Sequence, residues 1–257
     1  MLELGSSMLP RVSVQHRLIN LLYPQACLLC HLRLDTPETG TRLEGPLLCP
    51  ACQAALIPNR PPLCLRCGLG LSGAFDARLA CRRCATQPPP FESARAPWQY
   101  TGLVRQAIRQ FKYHRRWRLG RWLADEMVQA AGAAWTFQDI AMVVPVPLHW
   151  LKRWLKGFNP AAHLAAPVAR ALGKPCVPGA LRRTRWTATQ TRLAGRARRR
   201  NVRGAFTAQA RWVRDRTVLL VDDVLTSGAT AGACASALKA AGATRVLVLT
   251  AARTPLP

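Results

Sequence analysis

The sequence predicts an α/β fold in which a mostly parallel sheet is flanked by helices and preceded by a small cysteine-rich module. Apolar strands alternate with amphipathic helices after residue 91, which is typical of βα repeats. Eight cysteines arranged in Cys-x-x-Cys pairs all lie before residue 90. The stiff run Pro88-Pro89-Pro90 separates the two parts. The predicted domains are therefore residues 24–90 and residues 91–257.

The elements of the second domain follow from apolar spacing and from helix-end signals. Asn159 can cap a helix that starts at Pro160, and Gly173 can end it. Helical connections between apolar strands favour parallel pairing. A short N-terminal helix is also predicted within residues 1–23. The other predicted helices are Leu103–Lys112, Leu119–Ala131, Pro160–Leu172 and an alanine-rich run to Ala241, and the predicted strands are Ile140–Val146, Cys176–Val177, Ala205–Thr207, Val218–Val221 and Arg245–Thr250.

The paired cysteines have the spacing of zinc ligands. Successive pairs are separated by 18, 11 and 13 residues. A two-residue spacer lets both thiolates of a pair reach one ion, and tetrahedral zinc takes four. Sequential pairing predicts two structural zinc ions, although pairing the first motif with the third also fits the spacing. The sequential ligand sets are Cys27, Cys30, Cys49 and Cys52 for the first ribbon, and Cys64, Cys67, Cys81 and Cys84 for the second ribbon.

Two other uses of the cysteines fit the sequence less well. Disulfides belong mostly to exported proteins, and no export signal is recognisable here. A redox-active Cys-x-x-Cys motif is usually single and lies within a βαβ unit. Four-thiolate sites are coordinatively saturated, so we expect both ions to stabilise a Pro- and Gly-rich module and to do no chemistry. Cys176 and Cys234 are interpreted as buried, inert thiols.

The charge of the chain predicts an anionic partner. The 257 residues include 37 Lys and Arg against 12 Asp and Glu, a formal charge of +25. No acidic residue lies between Asp139 and Asp215, and this span carries an arginine cluster from Arg182 to Arg203. Such a span favours binding of a polyanion, although a generally arginine-rich surface would have the same composition. No apolar run is long enough to cross a bilayer, so we expect a cytoplasmic protein without membrane insertion.

The segment Val218–Thr230 has the composition of a site for a phosphorylated sugar. A buried apolar strand leads into Asp222 and Asp223, and a loop of small residues follows before a helix. The carboxylates can accept hydrogen bonds from neighbouring ribose hydroxyls. Backbone N–H groups at the helix N-terminus favour a phosphate. Ligands of open α/β sheets bind at the carboxyl ends of the strands, where this segment is predicted to lie.

This segment resembles the 5-phosphoribosyl-1-pyrophosphate (PRPP) signature of type I phosphoribosyltransferases, without a gap. The resemblance implies a type I phosphoribosyltransferase-like sheet and binding of PRPP with magnesium. It also implies that Asp222 and Asp223 act in catalysis by holding the ribose. The residues of this segment predicted to contact PRPP are Asp222, Asp223, Val224, Thr226, Ser227, Gly228, Ala229 and Thr230.

A second group of motifs resembles the ComF family, whose members are competence-associated, phosphoribosyltransferase-like and carry an N-terminal zinc ribbon. Val144–His149, with the basic residues that follow it, is similar to the pyrophosphate loop of that family. Phe111-Lys112-Tyr113 is similar to its Lys-Tyr element. The resemblance implies that Arg153, as a catalytic residue, and Lys156 stabilise pyrophosphate, and that Lys112 contacts PRPP. His149 fits a catalytic role and a plain polar loop position equally well.

The segment Arg182–Asn201 falls where the ComF family has its flexible loop. The order Thr189-Gln190, Leu193 and Arg199–Phe206 looks like the family pattern of Gln, Leu, Arg-Asn and Gly-x-Phe. Lys156 stands where many relatives have Arg, which keeps the charge but loses a bidentate fork. The resemblance covers nearly the whole chain, from Cys27 to about Arg253.

The sequence is compatible with three functions. The first is transfer of phosphoribosyl from PRPP to an unidentified nucleophile. The second is a non-catalytic role in DNA uptake or recombination, with single-stranded DNA bound through the basic span. The third is a PRPP-sensing regulator or scaffold. The implied competence role would also make a competence helicase or recombination proteins possible partners.

Overall fold

The computed structural model describes residues 25–34, 47–71, 79–148, 157–185, 202 and 204–255. The predicted N-terminal helix within residues 1–23 therefore lies outside the described residues. Helices in the described part are α1 (Pro50–Ala54), α2 (Arg82–Thr86), α3 (Gly102–His114), α4 (Trp117–Gly132), α5 (Pro160–Ala171), α6 (Ala210–Val213) and α7 (Ala229–Ala240). Its strands are β1 (Ser93–Arg95), β2 (Trp98–Gln99), β3 (Met142–Pro145), β4 (Leu181–Arg183), β5 (Phe206–Ala208), β6 (Thr217–Leu225) and β7 (Arg245–Arg253).

The main sheet is parallel, as the sequence predicts. Its strand order is β1–β7–β6–β3, and β2 pairs with the far end of β7. Every pair within it is parallel. Cys176 adds an isolated parallel bridge to Val143 at the outer edge of β3. The strands β4 and β5 form a separate antiparallel pair.

The two central strands are longer than the apolar pattern indicates. The buried run Val218–Val221 continues through the acidic pair to Leu225, because β7 also continues beside it. Asp222 pairs with Thr250, and Leu225 pairs with Arg253. The acidic pair therefore lies within the last residues of the strand and not just beyond it. Its position is fixed by hydrogen bonds to a buried neighbour strand.

Helix boundaries follow the predicted capping signals closely. The Asn159 side chain accepts a hydrogen bond from the N–H of Ala161 at 3.1 Å, and Pro160 occupies the first turn of α5. Gly173 follows α5 with φ +64°. Gly242 follows α7 with φ +96°, a conformation that favours glycine. The apolar faces of these helices pack on the sheet, with Leu164 and Leu238 fully buried.

The chain divides into two compact units, Met1–Leu56 and Ile57–Pro257. The first ribbon belongs to the first unit. The second ribbon belongs to the same unit as the sheet, where the Asn59 side chain donates to the carbonyls of Gly68 and Ala96 at 2.9 and 3.2 Å. The domain limits 24–90 and 91–257, which divide the chain by the character of its sequence, remain a prediction.

Candidate functional site

The eight paired cysteines form two clusters of four. In each cluster the sulfur atoms all lie within 4.8 Å of one another, and the clusters follow the sequential pairing of the motifs. The Cys30 and Cys49 sulfurs are 3.6 Å apart, and the Cys67 and Cys81 sulfurs are 3.7 Å apart. Four converging thiols match the donor set and geometry of tetrahedral zinc. The interleaved pairing that the spacing left open is not what the structure shows.

In both clusters a backbone N–H group donates a hydrogen bond to a cysteine sulfur. The N–H of Cys52 donates to the Cys49 sulfur, and the N–H of Cys81 donates to the Cys64 sulfur, both at 3.4 Å. Hydrogen bonds from Cys67 and Cys84 hold the pKa of the Cys64 thiol well below its usual range. The N–H···S bonds to Cys49 and Cys64 likewise favour the thiolate form that zinc requires. Outside the clusters, Cys234 is fully buried and Cys176 is half-buried.

The carboxyl end of β6 carries the acidic pair and a lysine partner. The Lys112 Nζ atom lies 2.7 Å from the Asp223 Oδ2 atom. The helix α3 places this lysine, because the neighbouring Phe111 is fully buried in the core. The N–H of Asp223 donates to the Asp222 Oδ1 atom at 2.9 Å. The structure thus brings together three residues that the sequence predicted to act on one ligand.

The charges of this group are strongly coupled. Burial, and then the neighbouring charge of Asp223, raises the pKa of Asp222 to about 7, although Lys112 acts in the opposite direction. Burial by itself would lower the pKa of Lys112, but its ion pair with Asp223 outweighs that effect and raises it. The site therefore holds one cation beside two carboxyl groups. Near neutral pH, Asp222 is poised between its neutral and charged forms.

Replacing Asp222 with Asn should stabilise the fold at high pH. The folded-state pKa of Asp222 is raised, so the wild type loses stability as pH rises from about 4, the unfolded value, to about 7, where the folded protein ionises. Asparagine has no such titration. We expect the melting temperature of Asp222→Asn, relative to wild type, to rise by at least about 2 °C between pH 5 and pH 8, the shift that ~1 kcal/mol produces in a chain of this size. An offset from wild type that is equal at both pH values would contradict this coupling.

The segment 226–230 turns the chain from β6 into α7. Gly228 adopts φ +70° immediately before the first helical residue, Ala229. The Ser227 hydroxyl accepts a hydrogen bond from the N–H of Ala229 at 3.4 Å. The side chain of Arg253, a residue that the sequence did not single out, donates to the carbonyls of Leu225 and Thr226 at 2.9 and 2.6 Å. The N-terminus of a twelve-residue helix is thus held directly after the acidic pair.

The strand β3 delivers its following loop to the same edge of the sheet. Pro145 pairs with Val221, and the N–H of Val146 donates to the Val221 carbonyl at 2.8 Å. The Asn159 side chain donates to the Val146 carbonyl at 3.0 Å, which joins the two ends of the loop. The predicted pyrophosphate ligands within this loop, Arg153 and Lys156, lie outside the described residues, as does His149.

The pair β4–β5 frames the predicted flexible segment. Arg183 on β4 stacks over the Phe206 ring of β5 at 5.4 Å. Burial lowers the pKa of Arg183, and the neighbouring Cys234 and Asp222 partly offset this effect. The centre of the predicted loop, with Thr189, Gln190 and the cluster Arg198–Arg200, lies outside the described residues.

Comparison with known proteins is consistent with this architecture. The Double zinc ribbon domain family matches residues 18–91. DNA utilization protein YhgH of Escherichia coli (strain K12) is 33% identical over 238 residues, which cover 91% of this chain and 99% of that protein. Competence protein F of Haemophilus influenzae is 28% identical over 232 residues, 88% of this chain and 96% of that protein. Amidophosphoribosyltransferase of Escherichia coli (strain K12) is 29% identical over 140 residues, 54% of this chain and 25% of that protein.

The class of protein follows from the fold, the cysteine clusters and these similarities. It is an α/β protein with a parallel sheet and two four-cysteine zinc-binding sites, and about half of the chain is similar in sequence to an amidophosphoribosyltransferase. The chain belongs to the ComF family, as its motifs predicted. Within the described residues, no helix is both long and apolar enough to cross a membrane.

Proposed function

We propose that this protein binds PRPP with magnesium at the carboxyl end of β6 and transfers its phosphoribosyl group to an unidentified acceptor. The observation that carries the proposal is the convergence of Lys112, Asp222 and Asp223, followed at once by the left-handed Gly228 and the N-terminus of α7. An acidic pair suits the ribose hydroxyls, and the helix N-terminus suits the 5′-phosphate. The acidic pair and the helix N-terminus are neighbours along the chain, as the ribose and its 5′-phosphate are neighbours in PRPP.

Each part of the site has a separate role in this proposal. Asp222 and Asp223 orient the ribose and offset positive charge that develops at its anomeric carbon. Lys112 pairs with Asp223 and fixes the direction of its carboxylate. Segment 226–230 anchors the 5′-phosphate, which supplies binding energy remote from the reacting carbon. Val224, Ala229 and Thr230 line this contact.

The leaving pyrophosphate is assigned to the loop after β3. Arg153 and Lys156 would neutralise its charge, and the loop starts beside Asp222 because Val146 bonds to Val221. Magnesium, when bound, would supply further positive charge to the phosphate oxygens. The transfer breaks the bond between the anomeric carbon and pyrophosphate oxygen, whose electron pair leaves with pyrophosphate, as the acceptor nucleophile bonds to the carbon and gives up a proton.

Pyrophosphate release tests whether binding leads to transfer. The purified protein would be incubated with PRPP, magnesium and a panel of nucleobases and other nucleophiles. Acceptor-dependent release supports a transferase. PRPP binding without release from any acceptor would favour the PRPP-sensing regulator or scaffold and would overturn the catalytic part of the proposal.

We further propose that the protein acts in DNA utilization or competence in the cytoplasm, where zinc-binding thiols stay reduced. Relatives named DNA utilization protein and competence protein support this, and they match nearly their whole length. The formal charge of +25 and the acid-free span 140–214 favour direct contact with single-stranded DNA. A competence helicase or recombination proteins would then act on the same strand.

Single-stranded DNA binding should depend steeply on salt and little on sequence. If several arginines contact phosphates, the logarithm of affinity should fall linearly with log salt, with a slope of about −0.7 per phosphate contacted. Fluorescence anisotropy with labelled oligonucleotides, without PRPP, would measure it. Replacing Arg198, Arg199 and Arg200 with Ala should reduce that slope, because the arginine cluster contributes phosphate contacts. Little base preference is expected, because no base-reading motif is visible.

The control for this experiment removes arginine charge elsewhere. Arg105→Ala and Arg109→Ala lie on α3, outside the acid-free span, and should leave the slope near that of the wild type. Absence of binding at low salt, or identical slopes in wild type and the triple variant, would assign the basic segment to pyrophosphate alone.

A further inference from the structure

Arg253 is a buried cation that joins the second ribbon to segment 226–230. Its side chain is only 6% exposed at the carboxyl end of β7. On one side, its Nε atom donates to the Cys67 carbonyl at 3.1 Å and a terminal nitrogen approaches the Cys67 sulfur at 3.8 Å. On the other side, its second terminal nitrogen donates to the carbonyls of Leu225, Thr226 and Thr254.

The charge of Arg253 needs compensation, since an unpaired buried cation is costly. No ion pair between Arg253 and a carboxylate occurs in the described part of the chain. The guanidinium of Arg253 instead lies against the Cys67 sulfur, 3.8 Å from a terminal nitrogen, and Cys67 is one of the four thiols of the second zinc site. Four thiolates on one Zn²⁺ leave a net negative charge. Zinc binding therefore places negative charge beside Arg253 and stabilises the guanidinium in place.

The opposite end of the same guanidinium restrains the start of segment 226–230. Leu225 is the last residue of β6, and Thr226 follows it two residues before the turn at Gly228. A cavity of about 950 Å³ separates the second ribbon from this segment and is lined by residues of both. Arg253 lines this cavity as well, and its hydrogen bonds provide a direct polar link between the two sides.

We propose that Arg253 is a positioning residue that couples zinc binding in the second ribbon to the geometry of segment 226–230. The second zinc ion then does more than stabilise its own ribbon, because its occupancy also orders the segment assigned above to the 5′-phosphate. This inference rests on the proposed function only for that last assignment. The coupling between ribbon and segment stands on the hydrogen bonds themselves.

The test measures the ribbon and the segment separately. Zinc release to a chelator reports on the second ribbon, and hydrogen–deuterium exchange of peptides covering 225–230 reports on the segment. In Arg253→Gln we expect release of one of the two zinc ions to accelerate by at least about tenfold, the usual scale for loss of a residue that supports a metal ligand. We expect exchange in the segment to accelerate by a similar factor.

Arg253→Lys separates charge from shape. A lysine keeps the positive charge beside the thiolates, so zinc release should change less than in Arg253→Gln. A single ammonium group cannot replace the fork that reaches both Cys67 and Thr226, so exchange in the segment should still accelerate. The matched control is Arg245→Gln at the opposite end of the same strand, where the arginine pairs with Glu92. It should change neither readout.

Protection of Val218–Val221 amides shows whether a variant is folded. If Arg253→Gln does not fold, the Arg253→Lys result decides. Unchanged segment exchange in a folded Arg253 variant would overturn the coupling, whether or not PRPP binds. Accelerated exchange in a protein whose wild type fails to bind PRPP would leave the coupling standing and would contradict the proposed function instead.

Discussion

Replacing Asp222 and Asp223 together with asparagine is expected to weaken PRPP binding by at least about tenfold, a loss of ~1.4 kcal/mol. The substitution keeps the size of both side chains but removes their charge. It also removes the anionic partner of Lys112, whose Nζ atom lies 2.7 Å from Asp223. Without this ion pair, Lys112 would no longer orient the side chain at position 223 toward the ribose. Isothermal titration of each protein with PRPP and magnesium measures the effect.

A matched control removes two carboxylates elsewhere. Asp125 pairs with Arg121 on the exposed face of α4, and Asp139 contacts Arg245 at the surface. The double variant Asp125→Asn and Asp139→Asn makes the same two chemical substitutions away from the site, so its affinity should stay within about twofold of wild type. If the Asp222 and Asp223 variant is folded and binds as tightly as this control, the acidic pair is not the PRPP site.

Loss of the second zinc ion is expected to be the most damaging single change to stability. The wild type should contain two zinc ions per chain, and Cys84→Ser should contain one. The second ribbon shares a compact unit with the sheet, and Arg253 and Asn59 both bond to its backbone. Structural zinc contributes on the order of 10 kcal/mol in zinc-finger peptides, so we expect a loss of several kcal/mol in unfolding free energy here.

The first ribbon offers a matched comparison. Cys52 is buried to nearly the same extent as Cys84, with 7% and 6% exposure, and each is the last ligand of its cluster. Cys52→Ser should also reduce the metal content to one. Because Cys52 belongs to the other compact unit, the sheet should unfold at nearly the wild-type denaturant concentration. Equal destabilisation of the sheet by both variants would contradict a special role for the second ribbon, and a wild-type metal ratio near zero would contradict zinc sites altogether.

Local patterns predicted the parts of the site that depend on short stretches of chain. The apolar run before Asp222 marked a buried strand, and Asn159-Pro160 marked a helix start, because both signals lie within a few residues. The Cys-x-x-Cys spacing indicated zinc but left the pairing open, since two-residue spacers constrain each pair and not the choice of partner. Only the folded chain shows that the motifs combine in sequence order.

Contacts between residues far apart in sequence could not be predicted from such local patterns. The full length of β6 depends on β7, which extends beside it to Arg253. In sequence, Arg253 stands at the end of an apolar run, a position that many surface arginines share, and its bond to the Cys67 carbonyl spans 186 residues of sequence. The motif Phe111-Lys112-Tyr113 suggested a ligand contact through family resemblance, whereas the ion pair with Asp223 is visible only in the folded chain, where Lys112 reaches the end of β6.

PRPP binding at the carboxyl end of β6 is tested most directly by a crystal structure of the protein with PRPP and magnesium. We expect the ribose hydroxyls within hydrogen-bonding distance of Asp222 and Asp223, and the 5′-phosphate at the backbone N–H groups of segment 226–230. Pyrophosphate should extend toward the loop that follows β3. The site assignment would be contradicted by density for PRPP elsewhere, such as in the cavity beside the second ribbon. It would also be contradicted by a structure without bound ligand at PRPP concentrations that saturate binding in solution.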